Sequence, residues 1–333
     1  MGHRKKHAPR HGSLSYRPRK RARRLSGRVR HWPTHVTDPQ ILGYAGYKVG
    51  MTHVILVDDK PNSPWYGREI SRAVTIVDTP PMLVASLRGY GRNGGGLQVI
   101  GETWMENLPK DIRRTMPWPK DYDAAAALKK FTKSLDDLVE LRVQLLTQPR
   151  QAGIGQKKPD ALEFGVYGGT INDQFEFAKN LLGQEIRVRD VFQPGQFLDI
   201  IGVTKGKGFQ GVIKRFGVKK LSHKTRKRVR AVGTLGPWHP NRIMYTVPRP
   251  GQMGVHQRTE YNKRLLKIGE KTDDITPAGG FPHYGVLQSD FLLIDGSVPG
   301  PSRRLVRLRL PNRPKPIPDK PPEIVYISMT AKK

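Results

Sequence analysis

Val203 to Lys267 reads VTKGKGFQGVIKRFGVKKLSHKTRKRVRAVGTLGPWHPNRIMYTVPRPGQMGVHQRTEYNKRLLK. It holds seventeen Lys and Arg against one acid, Glu260, and glycines and prolines interrupt it throughout. Burying that many unpaired cations costs more than packing returns, so the stretch cannot form the core of an ordinary domain. Its complement is a polyanion. A charge run alone usually marks a solvated face. Here, however, Phe209, Phe216, Trp238, Met244, Tyr245 and Tyr261 are interleaved with the charge. Cations neutralise phosphates, and flat side chains stack on bases or wedge into grooves.

The N-terminal region repeats the theme. Residues 1–30 contain twelve Lys and Arg and no acid; the first acid is Asp38. With almost no apolar pattern, this arm, taken as residues 1–40, is expected to be disordered alone and to fold on an anion. His3, His7 and His11 are spaced four apart, as are His31 and His35. Helical spacing of that kind can hold a metal, but Pro9, Gly12 and the surrounding positive charge oppose it, and no metal is expected.

The flanks of the basic stretch read differently. Thr52–Val57, Ala73–Val77 and Met82–Arg88 are short Val- and Ile-rich runs bounded by Gly, Pro, Asp and Asn, the pattern of strands in a small antiparallel barrel. Gly89–Gly96 reads as a flexible hairpin tip or loop. Glu102–Arg150 carries eight acids against nine bases. Within it AAAALKKFTKSLDDLVEL, ending at Leu141, predicts a helix, and Arg142–Thr147 a strand. Asn172 and Asp173 can cap a second helix, FEFAKNLL, which Gly183 can end. Further strands are expected at Glu185–Val188, Gln196–Val203, Leu265–Ile268, Asp290–Ile294, Arg304–Arg309 and Ile324–Ile327. Pro311–Pro322 reads as an extended, polyproline-like connector. The expected layout is a basic arm (1–40), a first barrel part (41–100), an inserted domain (101–183), a second barrel part (184–203), a basic central extension (204–267) and a closing barrel part (268–333).

Net charge is +31 and cysteine is absent. The charge points to nucleic acid. The lack of cysteine excludes disulfides and thiolate metal sites and fits a reducing compartment. No run of about eighteen apolar residues exists to cross a bilayer, and the N-terminus lacks the apolar segment of a secretory signal. Gly206 to Gly211 matches GxGxxG, but no helix pattern follows and no acid appears until Glu260. A P-loop fails on spacing, and Lys207 precedes Gly208 rather than Ser or Thr. Ser222 adjoins His223, yet no acid lies near them in sequence to complete a triad.

Several motifs then occur in one order: APRHGSLSYRPRKRA at Ala8–Ala22, GYAGYKVGMTH at Gly43–His53, VDTPP at Val77–Pro81, IGVTKGKGFQGV at Ile201–Val212, GPWHP at Gly236–Pro240 and GGFPHYG at Gly279–Gly285. Together they closely resemble the universal large-subunit ribosomal protein L-three family over nearly the whole chain. The shortness of the chain beside eukaryotic members points to the archaeal form. The resemblance implies a mixed β and α/β protein, with a translation-factor-type β-barrel, an inserted α/β domain and long basic extensions that penetrate ribosomal RNA. It implies a cytoplasmic structural constituent of the large ribosomal subunit that helps assemble it. The central extension would approach the peptidyl transferase centre. Some eukaryotic members carry a modified histidine twelve residues before the tryptophan of the WHP motif; here that position is Arg226, so the modification does not carry over.

The residues expected to contact ribosomal RNA are Arg4, Lys5, Lys6, Arg10, Arg17, Arg19, Lys20, Arg21, Arg23 and Arg24 in the arm. In the extension they are Lys205, Lys207, Lys214, Arg215, Lys219, Lys220, Lys224, Arg226, Lys227, Arg228, Arg230, Trp238, His239, Arg242, Arg258 and Lys263. Expected partners are large-subunit ribosomal RNA and neighbouring large-subunit proteins, with no membrane, no homo-oligomer, no catalytic residue and no cofactor. Charge alone also permits an architectural nucleic-acid-binding protein outside the ribosome. An RNA-acting enzyme would need paired acids or an activated nucleophile, and the sequence offers neither.

Overall fold

The computed structural model describes residues 7–116, 122–226, 228–271, 273, 275–316 and 321–330. Arg4, Lys5, Lys6 and Lys227 lie outside these. The strands in chain order are β1 (Gln40–Ile41), β2 (Gly43–Val57), β3 (Glu69–Asp78), β4 (Met82–Asn93), β5 (Gly96–Trp104), β6 (Glu140–Leu146), β7 (Ala161–Tyr167), β8 (Glu185–Ile186), β9 (Phe197–Val203), β10 (Phe209–Gln210), β11 (Gly251–Gln252), β12 (Gln257–Gly269), β13 (Phe291–Asp295), β14 (Leu305–Arg309) and β15 (Ile324–Ile327). The helices are α1 (Ala124–Lys133), α2 (Ile171–Leu181) and the short α3 (Val212–Phe216), with three single-turn 3-10 segments. The described chain is thus mainly β with few helices. It divides into two compact units. One comprises residues 1–25 and 203–258, the other residues 26–202 and 259–333.

The second, β-rich unit contains two antiparallel sheets. One has strand order β14-β9-β12-β13-β3-β2-β15, with β14 also paired to β2. One long strand makes this possible. The edge of β2 away from β3 is shared, with residues 43–47 pairing to β14 and residues 54–56 pairing to β15. Since β14 also pairs with β9, the strand order comes nearly back on itself. The other sheet runs β1-β7-β6-β4-β5, with β8 added beside the start of β4. Met82–Asn93 therefore pairs with β5, β6 and β8 rather than with β2 or β3.

Burial follows from this. Residues 43–49 of β2 are buried on both faces, and alternation begins only beyond Gly50. Two tyrosines sit in that segment with no exposed ring surface to spare, and both hydroxyls are satisfied. Tyr44 donates to the carbonyls of Pro80 (2.8 Å) and Ile186 (2.9 Å), and Tyr47 donates to Thr147 Oγ1 (3.1 Å). Gly46 lies between them because a Cβ there would stand 2.7 Å from the Asp78 carbonyl oxygen. One core cluster, including Tyr44, Phe164, Phe192 and Phe291, joins both sheets.

The helices are shorter or capped differently than their sequences predict. α1 ends at Lys133, with Ser134 as cap; a 3-10 turn (Leu135–Asp137) follows, and the chain is already a strand at Glu140. Ser, two Asp and β-branched Val139 outweigh the flanking leucines as helix formers. α2 is capped by Thr170 rather than Asn172. The Thr170 side chain accepts from the Asp173 N–H while Asp173 reaches back to the Thr170 N–H, a capping box. Phe131 of α1 stacks on Phe175 of α2 at 5.5 Å between centroids. β5 and β7 have no counterpart in the sequence reading, and Gly89–Asn93 continues β4 rather than forming a loop.

Several buried charges in this unit are paired. Asp199 and Arg309, 1% and 5% exposed, meet at 3.0 Å. Asp199 also accepts the backbone N–H groups of Asn262 (3.0 Å) and Asn312 (3.2 Å), so one carboxylate ties β9, β12 and the end of β14. The turn in β12 at Asn262 uses a left-handed backbone (φ 51°). Arg264 grips Asp59 with two bonds of 2.6 and 2.5 Å. Their hydrogen bond holds the Asp59 carboxyl below its usual range.

Asp78 is held by hydroxyl groups instead. It is buried, and its carboxylate accepts from Tyr284 (2.5 Å) and Ser289. Burial nevertheless pushes its carboxyl up to about 6. The folded state therefore binds this proton more tightly than the unfolded chain. The stabilisation is fully present below pH 4 and is lost as pH rises through about 6. Two pH units correspond to about 3 kcal/mol. Asp78→Asn, which both hydroxyls can still serve, should remove this dependence. In denaturant titrations at pH 4 and pH 7, the variant is expected to gain on the wild type by about that amount at the higher pH. A stability difference that stays constant across the range would refute the assignment.

Candidate nucleic-acid interface

The first unit is defined by its chemistry as much as by its contacts. Residues 1–25 and 203–258 include 24 Lys and Arg and no Asp or Glu. All 28 acids of the chain lie in the β-rich unit with the other 35 basic residues.

The central stretch begins as a narrow antiparallel stem. The Thr204 N–H donates to the His256 carbonyl (3.0 Å), and Lys207 N–H to the Met253 carbonyl (3.0 Å). β10 and β11 continue the stem through Phe209↔Gln252 and Gln210↔Gly251. The two backbones approach so closely that a Cβ on Gly254 would stand 2.0 Å from the Lys205 carbonyl oxygen. With its φ of +76°, only glycine suits that position. Beyond the stem comes α3, closed by Gly217 in the left-handed conformation. Val212 and Phe216 of α3 pack with Val218 as a small core. The helix after the GxGxxG run is five residues long and has no acid near it, so the dinucleotide reading stays rejected. Residues 219–226 and 228–250 form neither helix nor strand; they are turns and bends held by bonds such as Leu221 N–H to the Val229 carbonyl (3.0 Å).

From this frame the side chains point outward. Lys205, Lys207, Lys214, Lys219, Lys220, Lys224, Arg226, Arg228, Arg230, His239 and Arg242 are exposed. So are the flat side chains: Trp238 is 88% exposed, Phe209 76% and Tyr245 68%. Trp238 belongs to no core cluster, and it sits beside the Pro237 and Pro240 that stiffen its loop.

The N-terminal arm is part of the same unit, a pairing that sequence reading did not find. The Ala22 N–H donates to the Val255 carbonyl (2.8 Å). The His256 ring bonds the Lys20 carbonyl at 3.0 Å. Arg258 lies over the Tyr16 ring at 4.3 Å. Arg17 and Arg19 are half buried against Phe216, while Arg10, Lys20, Arg21, Arg23 and Arg24 are exposed. Residues 236 apart in sequence meet here, and no local pattern announces such a contact. Tyr16, Tyr245 and His256 join the candidate interface on this basis.

Two expected residues behave differently. Lys263 belongs to the β-rich unit and faces Glu260 at 3.7 Å. Arg215 is half buried and bonds backbone carbonyls rather than facing outward. The arm itself divides at Leu25. Val29 is buried at 7% exposure, Trp32 packs against Phe164 at 6.0 Å, and both belong to the β-rich unit.

Electrostatics of the unit are one-sided. Burial lowers the Arg19 guanidinium from its ordinary value, and Arg17, Arg215 and Arg258 lower it further. Burial and then Arg17 do the same to Arg215. His256 is lowered by burial, opposed by the Lys20 carbonyl, and lowered again by Arg258, Arg215 and Arg19. Ser222 and His223 lack any acid within the unit to orient them. Among the described residues no three His, Asp or Glu come together as a metal site, and no helix is long and apolar enough to cross a membrane.

Known proteins match this chain along its length. The family described as Ribosomal protein L3 matches residues 1–333. The large ribosomal subunit protein uL3 of Pyrobaculum calidifontis is 49% identical over 328 residues, covering 96% of this chain and 97% of the relative. Those of Methanopyrus kandleri and Methanothrix harundinacea are 47% and 45% identical, covering 99% and 98% of this chain and 92% and 98% of the relatives. An acid-free basic unit joined to a mainly β unit, matched end to end by these relatives, places the chain in the ribosomal protein L3 family.

Proposed function

We propose that the acid-free unit is the RNA-embedded part of a large-subunit ribosomal protein. The chain is a structural protein of the large ribosomal subunit that binds ribosomal RNA, and not an enzyme. The observation that carries the reading is the compact unit of 24 cations without a carboxylate. A compact unit of that charge strongly attracts phosphates.

Finer features follow from the family resemblance. The nearly closed seven-stranded sheet is read as a translation-factor-type β-barrel. Residues 101–183 are read as an inserted α/β domain facing solvent or a neighbouring ribosomal protein. The loop carrying Trp238 is read as the part directed toward the peptidyl transferase centre, and the chain as a monomeric participant in subunit assembly. Co-sedimentation with large subunits at moderate salt tests the core of this reading. Recovery of the protein only in the free fraction would sink it and leave an architectural role outside the ribosome.

Three outcomes are expected. Deleting residues 1–25, where the unit boundary falls, removes ten cations. It should weaken RNA binding and flatten the plot of log affinity against log salt by roughly 0.9 for each lost phosphate contact. An unchanged slope contradicts the arm's role. In protection mapping of the assembled subunit, α1 and α2 should remain accessible while residues 203–258 are covered. Equal coverage of both overturns the insert assignment. Trp238→Ala should leave the melting temperature of the free protein unchanged, because the indole is exposed. It should alter tRNA binding on reconstituted subunits, with a stacked aromatic contributing roughly 1–3 kcal/mol. A large loss of melting temperature with normal particle activity would make Trp238 a structural residue.

A further inference from the structure

β5 is the last strand of the β1-β7-β6-β4-β5 sheet. It pairs with β4 along one side, and among the described residues its other side pairs with no strand. The far end of that side is closed off, because the Trp104 N–H donates to the Tyr122 hydroxyl at 2.9 Å. Before it, residues 97–101 read LQVIG, without a charge or a proline. Leu97 is 45% exposed, Val99 49% and Ile100 44%. The register passes from Gly89↔Gly101 to Tyr90↔Val99, so Ile100 is a bulge residue. Gly91 makes room for it, since a Cβ there would stand 2.2 Å from Ile100 Cδ1.

Proteins ordinarily guard an open edge with lysine, proline, a bulge, a short length or a cover. Here the bulge is present, but residues 97–101 supply no lysine or proline, and the strand runs for nine residues. A groove of about 460 Å³ adjoins this edge. It is bounded by Ile100, Gly101 and Phe131 and, on α1, by Ala126, Ala127 and Lys130. Gly101 brings the strand close to the buried Phe131 ring, which a Cβ would meet at 3.0 Å. An added strand uses two things, main-chain groups for affinity and a pocket for its alternate side chains. Both occur together here.

Two other occupants fit this edge less well. RNA would meet no cation along residues 97–101 and a carboxylate directly after them, at Glu102. A second copy of the chain would bring another net charge of +31 against the first.

We propose that the free edge of β5 takes an extended segment of another protein as an added strand, with an apolar side chain of that segment seated in the groove against Phe131. The assignment rests on the large-subunit reading, which supplies the class of partner, a neighbouring protein of the subunit. The outer face of α1, with the exposed Lys129 and Lys133, stays open in this arrangement.

The test places a photo-reactive benzoylphenylalanine at position 98, an exposed position of β5, in the full-length chain. Intact cells are irradiated and then fractionated on a gradient. The expected product is an adduct with a single other polypeptide, in the large-subunit fraction, mapping to an extended segment of that partner. Val99→Lys puts a charge on the edge and should lower the adduct yield about tenfold. The melting temperature and the affinity for a transcribed ribosomal RNA fragment should not fall. Adducts with RNA alone, adducts with a second copy of this chain, or no adduct overturn the proposal, and so does a yield that Val99→Lys leaves unchanged. If the chain sediments free of large subunits, the subunit reading falls, while the adduct still decides whether β5 takes a strand. Should Val99→Lys melt early, Ala126→Phe fills the groove without altering β5 and should lower the yield as far. An undiminished yield in that variant also overturns the proposal.

Discussion

Mutual repulsion among cations that have no internal counter-ion is the constraint on which this structure turns. At physiological salt, exposed charges feel each other within about 8 Å, and the sequence packs 24 of them into one unit without an acid. The unit manages this locally in three ways. It turns most lysines outward. It gives arginine N–H groups to backbone carbonyls, as Arg215 does. It also lays guanidinium planes on the rings of Tyr16 and Phe216. None of these neutralises charge. They hold the cations in place while leaving the field intact, which is what attraction of a polyanion requires.

The β-rich unit uses the same residue type to the opposite end. Arg309 meets Asp199, Arg264 meets Asp59, and Arg88 meets Glu102 at 2.8 Å and also Glu163. These pairs cancel charge and lock strands. Only the Arg309–Asp199 pair is buried on both sides, and breaking that one costs about 3–5 kcal/mol. Arginine therefore holds the fold together in one unit and stays available to a ligand in the other. The difference is whether a carboxylate was placed within reach.

Much of this was legible in the sequence, and the limits have physical causes. Strands showed where Val and Ile alternate, as at Ile324–Ile327, which matches β15. They were read short where the chain uses other residues. The first half of β2 is GYAGYKV, whose glycines allow tight packing and whose tyrosines are buried by long-range contacts. The first half of β12 is QRTEYNKR, polar because much of it is not core. The α1 overrun came from leucines that belong to the following turn and strand. The basic character of the interface was plain from composition. The meeting of Tyr16, Arg17 and Arg19 with Phe216, Tyr245 and Arg258 was not, because nothing local encodes a partner two hundred residues away.

The double pairing of β14 also fixes an order of events. Its partners are β2, at residues 43–57, and β9, at residues 197–203. Translation delivers residues 7–25 and 203–256 before β12, β13 and β14 exist. Pairings this distant in sequence form slowly, because loop closure must precede any gain from contact. The nascent chain thus acquires its attraction for anions while Tyr44, Val49 and Ile76 still lack the strands that bury them. Synthesis and closure run in opposing directions, and the interval between them is when open strand edges and unscreened cations are present in the same molecule.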